Sequence, residues 1–218
     1  MLPQHDIVPE RNRIYAIVEG HGEAGQETGS SPIINLINKI LNEREVWRLI
    51  AKSPPWRMHS QGDFFKPGKL EDTLRIYKER YDCAAVLVLV DMDEHCAREK
   101  AVEIVGRLHN IETLPFSVAV VCPKPEFEAW FLACLEDILP GQIFEGDPEE
   151  GRDAKGYLKQ EFGYKPTRHQ LDYTRKINIQ NAAERSRSFR RLIHAIEELV
   201  QAKERDETVI TPITEVRG

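Results

Sequence analysis

The chain of 218 residues lacks several features, and each absence narrows its class. No apolar run approaches the roughly 18–20 residues that a membrane-spanning helix needs. The opening residues, MLPQHDIVPERNR, carry no apolar stretch of the kind that marks a secretory signal. Four cysteines (Cys83, Cys96, Cys122 and Cys134) are widely spaced with no Cys-x-x-Cys pair, which argues against a structural zinc site or a disulfide framework. Internal repeats are absent. These omissions set the expectation of a cytoplasmic protein in a reducing compartment, with no membrane partner.

What is present is charge, unevenly placed. The net charge is −6, but residues 1–150 hold 16 Lys and Arg against 26 Asp and Glu, a balance of −10. Residues 151–218 hold 14 against 10, and within 151–191 the count is 11 against 4, or +7. An acidic body with a basic segment fits a protein whose first part holds cations and whose second touches polyanions. Two solvated surfaces account for the same numbers equally well.

Apolar patterning places the elements. RIYAIVE (Arg13–Glu19) reads as a strand, followed by a Gly-rich loop to Gly29 and a helix from SSPIINLINKILNE, with Ser30 or Ser31 as cap and Pro32 in the first turn. Ile33, Ile37, Ile40 and Leu41 give that helix one apolar face. VWRLIA (Val46–Ala51) reads as a strand, SPPWRMHSQGDFFKPG as a loop, and KLEDTLRIYKERY as a helix with Leu70, Leu74 and Tyr77 or Tyr81 inward. CAAVLVLVDMD is an unbroken apolar run, as expected for a strand buried on both faces in the centre of a parallel sheet. A helix follows over Arg98–His109, then a strand over Phe116–Cys122 and a helix FEAWFLACLEDIL carrying Trp130 and Phe131 in the core. Alternation over residues 14–138 predicts a doubly wound α/β unit with a mainly parallel sheet and helices on both faces. Division falls at residues 1–140 and 141–218, the second part being a basic, mainly helical extension with a short helix at YLKQEFG and a long one at RSFRRLIHAIEELVQA. Ser188 is the expected cap of the long helix, and the tail from about Asp206 is expected to be loose.

Open α/β sheets place working residues at the carboxyl ends of their strands. Glu19 ends the first strand; Asp91 and Asp93 leave the central one, and their spacing predicts side chains on one side of the chain. Carboxylates about 4 Å apart repel by roughly 4 kcal/mol at an effective dielectric near 20, so such a group needs a cation or a proton. All-oxygen ligands suit Mg²⁺ or Mn²⁺. Gly20-His-Gly22-Glu-Ala-Gly25 matches a dinucleotide fingerprint in letters only. The helix cap comes at Ser30–Ser31, well past Gly25, and Glu23 would stand inside a phosphate cradle and repel its ligand. Glu126 and Glu128 open a helix behind Pro125, where acids favour the helix dipole or supply further ligands. His21 and His95 flank the acids, as loop polarity or as proton carriers.

A Glu after the first strand and an Asp-x-Asp after the third, in a compact α/β unit, resemble the TOPRIM superfamily. VEGHGE, VLVLVDMDEH and PEFEAWFLA, with DAKGYLK and RSRSFRRL further on, resemble a group of small bacterial TOPRIM-like proteins. These are related to overcoming-lysogenization-type nucleases and are often found beside ATPases in phage-defence neighbourhoods. The resemblance implies a Rossmann-like TOPRIM fold over about residues 13–138. It implies Asp91 and Asp93 as ligands of Mg²⁺ or Mn²⁺, and Glu19 as a ligand or acid/base in phosphodiester chemistry. Glu23, Glu126 and Glu128 are additional metal candidates. The expected activity is cleavage of DNA or RNA as an antiviral effector with an ABC- or AAA-type ATPase partner. Lys155, Lys159, Arg185, Arg187, Arg190 and Arg191 are the expected contacts to nucleic acid. Two alternatives remain: a non-catalytic TOPRIM-like regulatory module of an ATPase complex, and a phosphatase of the haloacid-dehalogenase type. LVLVDMD resembles the first motif of those phosphatases, although it lies mid-chain and places His95 where Thr or Val is usual.

Overall fold

The computed structural model describes residues 10–20, 31–93, 95–151 and 153–212. In chain order the strands are β1 (Arg13–Glu19), β2 (Ile50–Ala51), β3 (Trp56–Met58), β4 (Cys83–Leu89), β5 (Ser117–Val121) and β6 (Ile210–Thr211). They form one sheet in which β2 and β3 both flank β1, followed by β4, β5 and β6, every pairing parallel. β1, β4 and β5 are buried along almost their whole length, which is why their sequences are continuously apolar rather than alternating.

The helices are α1 (Pro32–Glu43), α2 (Gly62–Phe65), α3 (Lys69–Lys78), α4 (Ala97–Leu108), α5 (Ala129–Ala133), α6 (Leu135–Ile138), α7 (Ala154–Phe162), α8 (Pro166–Lys176), α9 (Ile179–Arg185) and α10 (Arg187–Glu204). Side chains alternate across the sheet into two cores. Ile14, Ala16, Val18, Ala85, Leu87 and Leu89 pack with α1 and α5 through α10. Tyr15, Ile17, Val86, Val88 and Val90 pack with α2, α3 and α4. The C-terminal helices thus share a core with the sheet, and β6 returns the chain to pair with β5. No helix among the described residues is long and apolar enough to cross a membrane.

Expectation and structure agree on the long elements and part company on the short ones. Val46–Leu49 is not strand, while Trp56–Met58 inside the expected loop is. Pro54 and Pro55 lack the N–H that an edge ladder uses, so one edge strand is split into two pieces along β1. The expected helix over Phe127–Leu139 breaks at Cys134, whose backbone leaves helical geometry (φ −131°, ψ 41°). Of the alternatives on α3, Tyr77 is buried and Tyr81 exposed. Trp130 and Phe131 are fully buried. The cap of α10 is Ser186, whose hydroxyl accepts from Phe189 N at 3.0 Å; Ser188 lies inside the helix and its Oγ accepts from Trp130 Nε1 at 2.8 Å. The segment after Asp206 is not loose through Thr211, because Ile210 and Thr211 complete the sheet beside Val118 and Ala119.

Candidate functional site

The sheet reverses direction between β1 and β4. From β1 the chain passes through α1 to β2 and β3 on one side, then crosses back so that β4 lies on the other. The crevice of such a sheet opens where these two strands end. Gly20, at φ +81°, turns the chain out of β1 with its N–H to Met58 O at 3.4 Å. Pairing of Val18 with Leu89 puts Glu19 level with Val90, one residue before Asp91, on strands about 4.8 Å apart.

Asp91 and Asp93 are held by the loop that leaves β5. Met92 N and Asp93 N both donate to Pro125 O, at 3.0 and 2.9 Å. Phe127 N donates to Asp91 Oδ1 at 3.1 Å, which fixes the carboxylate. Asp93 lies in the left-handed region at φ +45°, a conformation Asp tolerates better than most residues. That turn breaks the strand alternation, so the two aspartates do not simply share one side of an extended chain. Gln61, just before α2, bridges them. Its Nε2 donates to Asp91 O at 2.6 Å and lies 3.4 Å from Asp93 Oδ2.

Alternation separates the other acid. Glu19 follows Tyr15 and Ile17 toward the α3–α4 face, whereas Asp91 follows Leu89 toward the face of Phe127 and α7. The register brings the three acids to the same end of the sheet, with Glu19 and Asp91 on opposite faces of it. Among the described residues no three His, Cys, Asp or Glu side chains form a group that could hold a metal ion. Glu23 and His21 lie outside the described residues. His95 is exposed, its ring edge-on to Phe65 with centroids 5.6 Å apart.

Behind Asp91 lies a second charged group. Glu126 Oε1 accepts from Lys155 N at 2.7 Å, and its Oε2 is 3.1 Å from Lys155 Nζ. Glu128 is fully buried; its Oε2 is 3.6 Å from Lys155 Nζ, and Tyr164 OH donates to its Oε1 at 3.1 Å. Burial alone pushes the Lys155 ammonium toward neutrality. Glu128, Glu126 and Asp91 more than reverse this and hold its pKa above the ordinary lysine range. Glu126 and Glu128 therefore surround an ammonium, and Lys155 faces carboxylates.

The DAKG stretch explains how Lys155 is aimed. Asp153 caps α7, its Oδ1 accepting from Gly156 N at 2.6 Å. A Cβ at residue 156 would lie 1.9 Å from Asp153 Oδ2, so only glycine leaves room for the cap. Lys155, between them, is carried on the first turn with Glu126 against its backbone N–H.

The remaining basic candidates divide. Arg185 Nη2 donates to Phe144 O and Gly146 O at 2.6 and 2.8 Å, pinning the loop before α7. Arg190 bonds the carbonyls of Ala183 and Glu184. Lys159, Arg187 and Arg191 are exposed and form no ion pair among the described residues. Sequence reasoning missed Gln61 and Tyr164, which occupy a loop and a helix junction with no motif to flag them. The thiols of Cys83, Cys122 and Cys134 are each pushed up to about 12, first of all by burial, so they are not nucleophiles at neutral pH.

Searches of the curated proteins and of the solved structures returned no match. A family profile described as "Domain of unknown function (DUF4276)" matches residues 18–197, a span that runs from the last two residues of β1 through most of α10 and includes every candidate site residue. The chain belongs to this family.

Proposed function

We propose that the protein is a metal-dependent nuclease acting on phosphodiester bonds of DNA or RNA at the crest between β1 and β4. The observation that carries this reading is the fixing of Asp91 and Asp93 at the sheet's reversal point by Pro125 O, Phe127 N and Gln61. The donor set fits a hard divalent cation. All the candidates are carboxylate oxygens, and Mg²⁺ is ordinarily held by only one or two carboxylates plus water and phosphate, so a closed three-ligand cage is not required. Asp91 and Asp93 are the proposed ligands, and Glu19 across the crest is the proposed acid/base. When bound, the ion supplies charge neutralisation at phosphate and an acidified water. Gln61 orients Asp93, and the Phe127 amide keeps Asp91 aimed. The TOPRIM resemblance extends the proposal to an antiviral effector working with an ATPase.

A second reading is favoured by one observation. Lys155 already supplies positive charge to Glu126 and Glu128, as a non-catalytic regulatory module would need. Purified protein, with and without Mg²⁺ or Mn²⁺, on single- and double-stranded DNA and RNA separates the two. Metal-dependent cleavage is expected, lost in Asp91→Asn, along with Mn²⁺ binding measured by calorimetry while circular dichroism is unchanged. Full-rate cleavage in Asp91→Asn refutes the assignment. No cleavage and no Mn²⁺ binding in the wild type supports the regulatory module.

A further inference from the structure

Two of the three tryptophans are on the surface, and they bracket the outer edge of the sheet. Trp47 is 71% exposed and Trp56 40% exposed, with Ile50 at 44% between them, while Trp130 is fully buried. A tryptophan in water forgoes the largest burial gain of any side chain; Trp47 is mostly in water and Trp56 partly, and with Ile50 they form an apolar strip of the kind that marks a contact surface. Residues 46–62 contain Arg48, Lys52 and Arg57 and no acid, inside a first 150 residues whose balance is −10. Arg48 and Lys52 are exposed and form no ion pair among the described residues. The register orders this strip along β1. Ile50 lies beside Arg13 and Trp56 beside Ile17, four residues on, or about 13 Å along the strand. Met58, two residues beyond Trp56, pairs with Glu19. The strip therefore runs up the edge of the sheet to the crest where the acids sit.

We infer that this edge binds single-stranded nucleic acid, with Trp47 and Trp56 stacking on unpaired bases and Arg48 and Lys52 following the phosphates. The inference rests on the nuclease reading for its purpose, but not for its geometry. Flat exposed rings alternating with cations are the recurring means of holding a single strand without reading its sequence. Duplex bases are already stacked and offer such rings nothing. Strand addition by a protein is disfavoured here, because the edge is two short pieces divided by Pro54 and Pro55. Three cations and no acid over residues 46–62 give the strip itself the charge complementarity that draws a polyanion, with Glu43 and Glu45 just before it.

The fluorescence of the protein reports the contact directly, since Trp47 and Trp56 are the exposed emitters and Trp130 a buried reference. In EDTA and low salt, a twenty-nucleotide oligothymidylate is expected to quench emission, and a duplex of the same length to do so far less. The variant Trp47→Ala/Trp56→Ala should lose the quenching and bind a labelled oligonucleotide at least about tenfold more weakly by anisotropy. Arg48→Ala/Lys52→Ala should lower the slope of log K against log salt by about 1.4. Unchanged affinity in the tryptophan variant overturns the inference. So does quenching by anionic phosphatidylserine vesicles but not by the oligonucleotide, or a wild-type dimer that the tryptophan variant dissociates. Binding through the tryptophans with no cleavage under any metal leaves the inference standing and removes the nuclease. Asp91-dependent cleavage with unaltered binding in the tryptophan variant does the reverse.

Discussion

Replacing Lys155 by Met keeps most of the stem volume and removes the ammonium from between Glu126 and Glu128. Unit charges about 3.5 Å apart attract by about 5 kcal/mol gross at an effective dielectric near 20. Desolvation offsets much of that, and removing one partner of a buried pair costs about 3–5 kcal/mol because the other charge is stranded. The Lys155 side chain is 40% exposed, so water screens part of the loss, and about 2 kcal/mol is expected at pH 8. The carboxylate most affected is Glu128, which is fully buried and keeps the Tyr164 hydroxyl. Urea unfolding at pH 8 measures the loss. The double variant Lys155→Met/Glu128→Gln should lose at least about 1 kcal/mol less than the sum of the singles. Additive singles would refute the charge accounting for this cluster.

Gly156→Ala should displace the Asp153 cap, since the new methyl would meet Asp153 Oδ2 at 1.9 Å; about 1 kcal/mol of stability is expected to go, read as a lower melting temperature, with no further loss when Asp153→Ala is added. Native protein treated with iodoacetamide at pH 8 should gain one adduct, at exposed Cys96, and four after unfolding, by mass spectrometry. The three buried thiols also set an alkaline limit. Their folded pKa values near 12 lie above the unfolded value near 8.5, so their contribution is fully present below about pH 8.5. It is progressively lost as pH rises from there toward 12. Urea midpoints that do not fall between pH 8 and pH 10 would contradict this.

The parts of the molecule legible from sequence are those where one local signal suffices. β1, β4 and β5 announce themselves as apolar runs, and α1 as Ile33, Ile37, Ile40 and Leu41 on one face, all four buried. Asp91 and Asp93 were visible because they follow the strongest run. What escaped depends on partners distant in the chain. β2, β3 and β6 are two or three residues long, too short for periodicity, and exist because β1 and β5 offer them an edge. Lys155 sits in a stretch of +7 charge and reads as a polyanion contact, yet its nearest carboxylates are 27 and 29 residues earlier. The fate of Asp-x-Asp turned on the left-handed Asp93, which no spacing rule anticipates.

The C-terminal helices are consequently not an accessory to the crest. Asp153 and Gly156 aim α7, Glu126 receives its first N–H, and Tyr164 at the far end of that segment bonds Glu128, so the chemistry beside Asp91 is assembled from both halves of the chain. Asp91, Asp93, Glu126 and Glu128 gather four carboxylates near the end of a buried strand, and Lys155 sits against the inner two. Carboxylates so placed are stable only where water, a proton or a cation meets them. Asp93 is exposed on the solvent side of the crest, which is where the proposed divalent ion and phosphate would approach. Lys155 serves the inner pair and offsets one of its two charges; the proposed ion would serve the outer one.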